Sequence, residues 1–198
     1  GQYHTQLPPS VRADFIEKAR RGCDELTLLV SNIMDASQMS VELEHIRVRP
    51  VPLRATIEHV LEIMEPIIVR EERTVSLAID KSVTVYADEI RLRQVLMNLL
   101  SNALKYSATG TALVFSSQVN GQNLRVSVRD YGAGILPEEQ DAIFERFVRL
   151  ERDMNSPVRG AGLGLFICRQ LIEAMGGHIW VESSGQDGEG STLSLIHI

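Results

Sequence analysis

Gln94-Val95-Leu96-Met97-Asn98-Leu99-Leu100-Ser101-Asn102-Ala103-Leu104-Lys105-Tyr106 is the stretch on which the fold turns. Asp88, just upstream, is a suitable N-cap, so a helix is expected from there through Tyr106. Asn98 and Asn102 stand at i and i+4 and share a face; Lys105 and Tyr106 follow on the next turn. Leu99, Leu100 and Ala103 belong to the opposite, apolar face. Taken alone, the block also fits an ordinary helix whose asparagines face water.

What gives it meaning is the order of the blocks that follow. Asp130-Tyr131-Gly132-Ala133-Gly134 comes directly after a strand pattern. A carboxylate at a strand end can accept a hydrogen bond from an exocyclic amine, which favours adenine over a base with a carbonyl there. The glycines let the chain turn and let a ligand approach the backbone. Gly160-Ala161-Gly162-Leu163-Gly164-Leu165 then opens a helix, where free amides and the positive helix end suit phosphate. The glycines alternate and no βαβ unit precedes them, so this is not the dinucleotide fingerprint. Gly190-Ser191-Thr192 leads into the last strand, and Thr192 could sit beside Asp130. Each block has a plain reading as well: an Asp-Gly turn, a Gly-rich loop, a strand threonine. In this order they describe a nucleotide pocket. Asn98 and Asn102 offer amide oxygens to Mg²⁺ shared with phosphate, Lys105 a point charge, and Tyr106 an aromatic wall.

Outward from the pocket, period and punctuation set the elements. Leu53 to Arg70 has a helical pattern, with Pro66 expected to kink it. Thr74 to Ile79 and Val83 to Tyr86 read as strands. Thr111 to Val119 and Leu124 to Asp130 read as a hairpin about Asn120-Gly121-Gln122-Asn123. Residues 136–150 suggest short helix and loop, and residues 151–160 a mobile loop. Leu163 to Met175 reads as a helix, and His178 to Ser183 and Ser191 to Ile198 as strands. Together they predict an α+β two-layer sandwich with one sheet face under helices.

The N-terminal part differs. After Leu7-Pro8-Pro9, with Ser10 or Asp14 as cap, Phe15, Ala19, Gly22, Leu26, Leu29, Ile33 and Ala36 alternate steps of four and three. Ile16, Cys23 and Val30 widen this heptad seam into a bundle-type stripe. Ile46 to Val51, broken by Pro50 and Pro52, then marks a boundary near residue 46. Residues 1–45 and 46–198 are expected to be separate units.

The chain has 198 residues, 44% of them hydrophobic and 23% charged, an ordinary globular composition. Its net charge of −6 argues against general nucleic-acid binding. A bound polyanion must therefore be held by local groups. No apolar run is long enough for a membrane span. Cys23 and Cys168 sit in apolar helical patterns and lack ligand spacing, which suggests small buried side chains in a reducing compartment. His4, His45, His59, His178 and His197 are scattered.

The ordered blocks resemble the catalytic ATP-binding domain of sensor histidine kinases, in the superfamily of gyrase, heat-shock chaperone, histidine kinase and MutL (the Bergerat fold). Residues 94–106 are similar to its N box, 130–134 to its first glycine box, 143–150 (Ile143 to Leu150) to its F box, 160–165 to its second glycine box and 190–192 to its last. The resemblance implies that Asn98 and Asn102 hold Mg²⁺, that Lys105 and Arg149 contact phosphate, and that Tyr106 flanks adenine. It implies Asp130, with Thr192 joining through a water, as the reader of the adenine amine. Gly132, Gly134 and Ile135 would shape the base pocket, and Gly160, Gly162, Leu163 and Gly164 the phosphate side. Residues 151–160 would be the ATP lid, with Phe144 and Phe147 as its packing anchors.

The N-terminal helix resembles the second helix of the family's dimerisation and phosphotransfer hairpin. The histidine–acid pair of the first helix has no counterpart: His4 is followed by Thr5, and Pro8-Pro9 break the helix. The chain is thus expected to begin between the two helices and to bind ATP without phosphorylating itself. The implied partners are its own phosphotransfer hairpin, as a homodimer, and a response regulator receiver domain. The implied setting is a cytoplasmic phosphorelay whose full-length protein is either soluble or membrane-anchored. Three rivals are a clamp ATPase, whose N box would carry a carboxylate where Gln94 and Asn98 stand, a degenerate nucleotide-binding scaffold, and an anti-sigma serine kinase.

Overall fold

The computed structural model describes residues 11, 12, 15, 16, 45–121, 123–150 and 161–197. The expected N-terminal helix lies almost wholly outside the described residues, although 11, 12, 15 and 16 are helical. His4, Cys23, Gln122 and residues 151–160, expected to form a lid and including Gly160, also lie outside them.

Pro50 and Pro52 hold the backbone extended in β1 (Arg49–Pro52), and α1 (Leu53–Arg70) starts at once. Its buried stripe, Leu53, Thr56, Ile57, Val60 and Met64, follows the helical period. Thr56 Oγ1 donates to the Pro52 carbonyl at 2.9 Å and closes the first turn. The helix runs on through Pro66, which sits on an exposed face. There water can reach the Glu62 carbonyl that proline leaves without an amide.

After α1 come β2 (Thr74–Ala78) and β3 (Thr84–Ala87), the latter paired antiparallel with β1 as a small separate ribbon. Next are α2 (Glu89–Tyr106), β4 (Ala112–Asn120) and β5 (Asn123–Arg129). Two 3₁₀ turns, Pro137–Glu139 and Ala142–Phe144, precede α3 (Gly164–Ala174), β6 (His178–Glu182) and β7 (Thr192–His197). The main sheet has the order β2-β4-β5-β7-β6, with β2 parallel to β4 and the other pairs antiparallel.

Alternation decides the sheet's two faces. Leu113, Phe115, Val126, Val128, Ile179, Val181, Leu193 and Leu195 are buried in one core with Leu92, Leu96, Leu99 and Leu100 of α2 and Ile167, Leu171 and Ile172 of α3. Each such side chain contributes about 1.5–3 kcal/mol of burial. The other face is polar at its centre: Ser127 and Ser194 hydroxyls lie 2.9 Å apart, and the Arg125 guanidinium covers them while stacking 5.1 Å from the Trp180 ring centre. One sheet under one layer of helices is the two-layer α+β arrangement expected. Among the described residues, no helix is long and apolar enough to cross a membrane.

Asp88 fixes the start of α2, as its position predicts. Its carboxylate accepts from the backbone amides of Ile90 (3.0 Å), Arg91 (3.2 Å) and Arg47 (3.0 Å). Burial disfavours its charge, but those three amides outweigh it and hold the carboxyl below its ordinary value of 3.8. A carboxyl with a depressed folded pKa contributes stability above its unfolded pKa and loses it as pH falls through the folded one. Asp88→Ala is therefore expected to cost about 1 kcal/mol in urea melts at neutral pH. The difference from wild type should shrink on acidification below about pH 4.

Candidate functional site

A cavity of about 250 Å³ opens between the polar face of α2, the turn after β5, the segment 148–150 and the start of α3. The α2 wall follows from the period of that helix. Val95, Leu96, Leu99 and Leu100 are fully buried, so Asn98, Ser101, Asn102 and Lys105 are left to face the cavity, with Tyr106 at the end. Burial pushes the Lys105 ammonium below its ordinary value. The residue as a whole is exposed, so its ammonium keeps access to solvent while facing the cavity. Arg149 lines the same space from another segment.

Asp130 sits on the cavity wall and is 5% exposed. Its Oδ1 accepts from the Gly132 amide at 2.9 Å and the Ser191 amide at 3.3 Å; its Oδ2 accepts from Ser191 Oγ at 2.6 Å. A carboxylate has about four acceptor positions. One therefore remains on a buried, rigidly oriented group beside open space, suited to a ligand N–H. Gly132 fits so tightly that a Cβ there would lie 2.1 Å from the Tyr106 carbonyl oxygen. Its neighbour across the turn is Ser107, through an isolated antiparallel bridge, so the end of α2 and the Asp130 turn are joined. Gly134 and Ile135 complete the rim. Ser183 Oγ holds that rim by accepting from the Ile135 amide at 2.9 Å and donating to the Gly190 carbonyl at 2.7 Å.

The third side is the start of α3. Gly164 opens that helix, and a Cβ on it would come within 3.8 Å of Asn98 Oδ1, so the positive helix end faces the asparagine wall. The Gly162 carbonyl accepts from the Phe147 amide at 3.0 Å and ties this loop to the 144–150 segment. Phe144 anchors that segment as expected, buried with the Arg169 guanidinium 5.4 Å from its ring centre. Phe147 is not an anchor: it is 65% exposed. Its φ of 64° places the backbone in the left-handed region while its amide stays bonded to Gly162.

Thus Asn98, Asn102, Lys105, Tyr106, Asp130, Gly134, Ile135, Arg149, Gly162 and Gly164 line one cavity although they are far apart in the chain. Gly132 supports it from behind. Leu163 is buried in the core, off the cavity wall. Thr192 is off it too; the hydroxyl beside Asp130 belongs to Ser191. Ser191 and Ser101 were both missed, as were the apolar wall residues Val148, Leu150 and Leu193. Cys168 is buried, as expected, and burial pushes its thiol up to about 12.

Among the described residues, no group of three or more His, Cys, Asp or Glu side chains is placed to hold a metal. The amide oxygens of Asn98 and Asn102 suit a hard cation that keeps waters and arrives with phosphates, since Mg²⁺ is commonly held by few protein ligands.

A two-layer α+β domain with a cavity between α2, the Asp130 turn and a glycine-rich helix start is the class that fold and site define. The sequence profile described as "Histidine kinase-, DNA gyrase B-, and HSP90-like ATPase" matches residues 87–198, more than half of the chain. The chain belongs to that family. It is 34% identical over 189 residues to the adaptive-response sensory kinase SasA of Synechocystis sp., covering 94% of this chain and 49% of that protein. It superposes on full-length ShkA in complex with AMPPNP with a TM-score of 0.77 and 30% identity, covering 98% of this chain and 40% of that one. The histidine kinase ThkA in complex with the response regulator protein TrrA matches with a TM-score of 0.77 and 25% identity, over 98% of this chain and 53% of that one. The chain spans about half or less of the length of the curated relatives it matches.

Proposed function

We propose that the chain is the ATP-binding catalytic part of a two-component sensor histidine kinase. In this reading it directs the γ-phosphate of Mg·ATP to a histidine, for relay to a response regulator receiver domain. Residues 46–198 would be the catalytic domain. Residues 1–45 would belong to the dimerisation and phosphotransfer region, which works as a homodimer in the cytoplasm. The observation that carries the reading is Asp130, a buried carboxylate with one acceptor position left, facing a cavity whose other walls offer Lys105, Arg149 and a helix start. A donor at one end and polyanion at the other is the pattern of an adenine nucleotide. The AMPPNP bound to ShkA and the response regulator bound to ThkA support the same assignment by likeness.

Phosphoryl transfer asks little covalent chemistry of a protein; positioning and charge stabilisation are its main contributions. Asp130 would fix the base and Tyr106 would flank it. Lys105, Arg149 and the amides at the start of α3 would hold the phosphates in line with the acceptor. Asn98 and Asn102 would hold Mg²⁺, which when bound neutralises phosphate charge. The glycines in the walls leave the space open and would let the nucleotide approach the backbone closely.

Titration calorimetry tests this directly. The chain is expected to bind one Mg·ATP and to bind Mg·GTP at least about tenfold more weakly, because a carbonyl at the amine's place leaves Asp130 unpaired. Failure to bind Mg·ATP, or equal affinity for the two, would remove the reading. Steady hydrolysis of ATP would instead favour a clamp ATPase.

A further inference from the structure

Arg73 lies just ahead of β2 in the charged run Arg70-Glu71-Glu72-Arg73, yet its side chain is only 1% exposed. Its guanidinium donates to the Leu104 carbonyl at 2.8 Å, the Ser107 carbonyl at 2.8 Å and Ser107 Oγ at 2.9 Å. It also reaches the Ala108 carbonyl and Thr111 Oγ1. Its ionic partner is Glu71, at 3.2 Å, itself partly exposed. Ser107 Oγ in turn donates to the Ala103 carbonyl at 2.6 Å. The last carbonyls of a helix lack amide partners and carry its negative end. Here a buried cation takes them up.

Burying a guanidinium costs several kcal/mol unless its donors are satisfied and its charge is met. Holding a helix end from the surface would avoid that cost. The turn it grips is the one that presents Lys105 and Tyr106 to the cavity, and Ser107 in that turn is bridged to Gly132 beside Asp130. Arg73 therefore sits behind the seam where the two walls of the cavity meet, without lining the cavity itself.

We infer that Arg73 is a positioning residue for nucleotide binding: by capping the last turn of α2 from behind, it sets Lys105 and Tyr106 in register with the Asp130 turn. The inference rests on the reading of the cavity as an ATP site. A purely structural arginine would affect melting and leave affinity below the transition unchanged. A positioning arginine affects affinity in the folded chain, and does so through Lys105.

The test is Mg·ATP calorimetry on the full chain well below its melting temperature, with wild type, Arg73→Lys, Lys105→Met and the double variant. Arg73→Lys keeps the charge but loses the planar fork. It is expected to weaken Mg·ATP binding about tenfold, the loss of one charge-assisted contact in effect. In the double variant the arginine's effect should shrink to less than about threefold, because the side chain it positions is gone. Glu71→Gln leaves Arg73 in place and loosens its counter-ion, which also touches the exposed Arg70 at 3.5 Å, so it serves if the arginine variants do not fold. It is expected to weaken binding about threefold and to speed amide exchange at residues 105–107. Arg73→Lys with wild-type affinity, or a fully additive double variant, would overturn the inference, as would Glu71→Gln with wild-type affinity. A wild-type chain that binds no Mg·ATP would overturn the reading of the site and this inference together; wild-type binding with an unchanged Arg73→Lys overturns this inference alone.

Discussion

Asp130→Asn is expected to weaken Mg·ATP binding about 100-fold while leaving the chain folded, because the change alters one acceptor and keeps the shape. In the native turn Oδ1 accepts the Gly132 and Ser191 amides, and an asparagine oxygen can do the same. The new amide nitrogen replaces Oδ2. It can donate to Ser191 Oγ once that hydroxyl turns, so the link at 2.6 Å survives with its direction reversed. The cavity, however, now presents a donor to the exocyclic amine of adenine, another donor. A hydrogen bond to a charged group is worth about 1.5–3 kcal/mol, and a buried donor without an acceptor adds a further cost. The same change should bring Mg·GTP affinity level with or above that for Mg·ATP, since a base carbonyl can now accept. Calorimetry with both nucleotides, alongside a thermal melt, reads the two effects apart. Unchanged ATP affinity in a folded variant would show that Asp130 does not contact the base.

How much of this was legible in the sequence depends on the range of the interactions concerned. The buried stripe of α2 and its asparagine face rest on a local period, and Leu96, Leu99 and Leu100 against Asn98 and Asn102 fell where that period puts them. The strands rest on alternation, and their bounds came within a residue or so. The hydroxyl beside Asp130 needed more. In β5–β7 Arg129 is opposite Thr192, so the next pair outward is Asp130 with Ser191, side chains on one face. That register is a relation between strands some sixty residues apart, and a one-residue slip moves a side chain to the other face. Thr192 was therefore a reasonable choice and the wrong face of the strand. Arg73 was illegible for the same reason. In a run of charges it reads as solvated, and only contacts more than thirty residues away bury it. Leu163, set among the glycines at a helix start, read as part of the phosphate side of the site, but its apolar side chain is drawn into the core.

Gly190→Ala is expected to be the most damaging single methyl group in the chain's last third. Gly190 has φ +72°, and a Cβ on it would lie 2.1 Å from the Asp130 carbonyl oxygen and 2.6 Å from Tyr131 Cα. Those neighbours are backbone, so no rotamer change relieves the clash. The strands must part where the Asp130 amide donates to the Ser191 carbonyl at 3.0 Å and where the Gly190 amide donates to Gly132 at 3.1 Å. Left-handed backbone strain of about 1 kcal/mol plus overpacking gives an expected loss of about 3 kcal/mol. For a chain of this size that is a fall in melting temperature of about 10 °C. Because the displaced strand ends hold Asp130 and Ser191, Mg·ATP binding should also be lost at temperatures where the variant is still folded. Gly188 supplies the control. It has φ +84° and its amide also donates to the Gly132 carbonyl, but nothing lies within 4 Å of its Cβ position. Gly188→Ala should therefore show the strain alone, about 1 kcal/mol, with nucleotide affinity close to wild type. If the two variants melted alike and bound alike, the close approach at position 190 would have no part in shaping the site. If only Gly190→Ala lost binding, the damage would lie in the contact between that turn and Asp130, and the last glycine block would be acting on the nucleotide through the carboxylate it packs against.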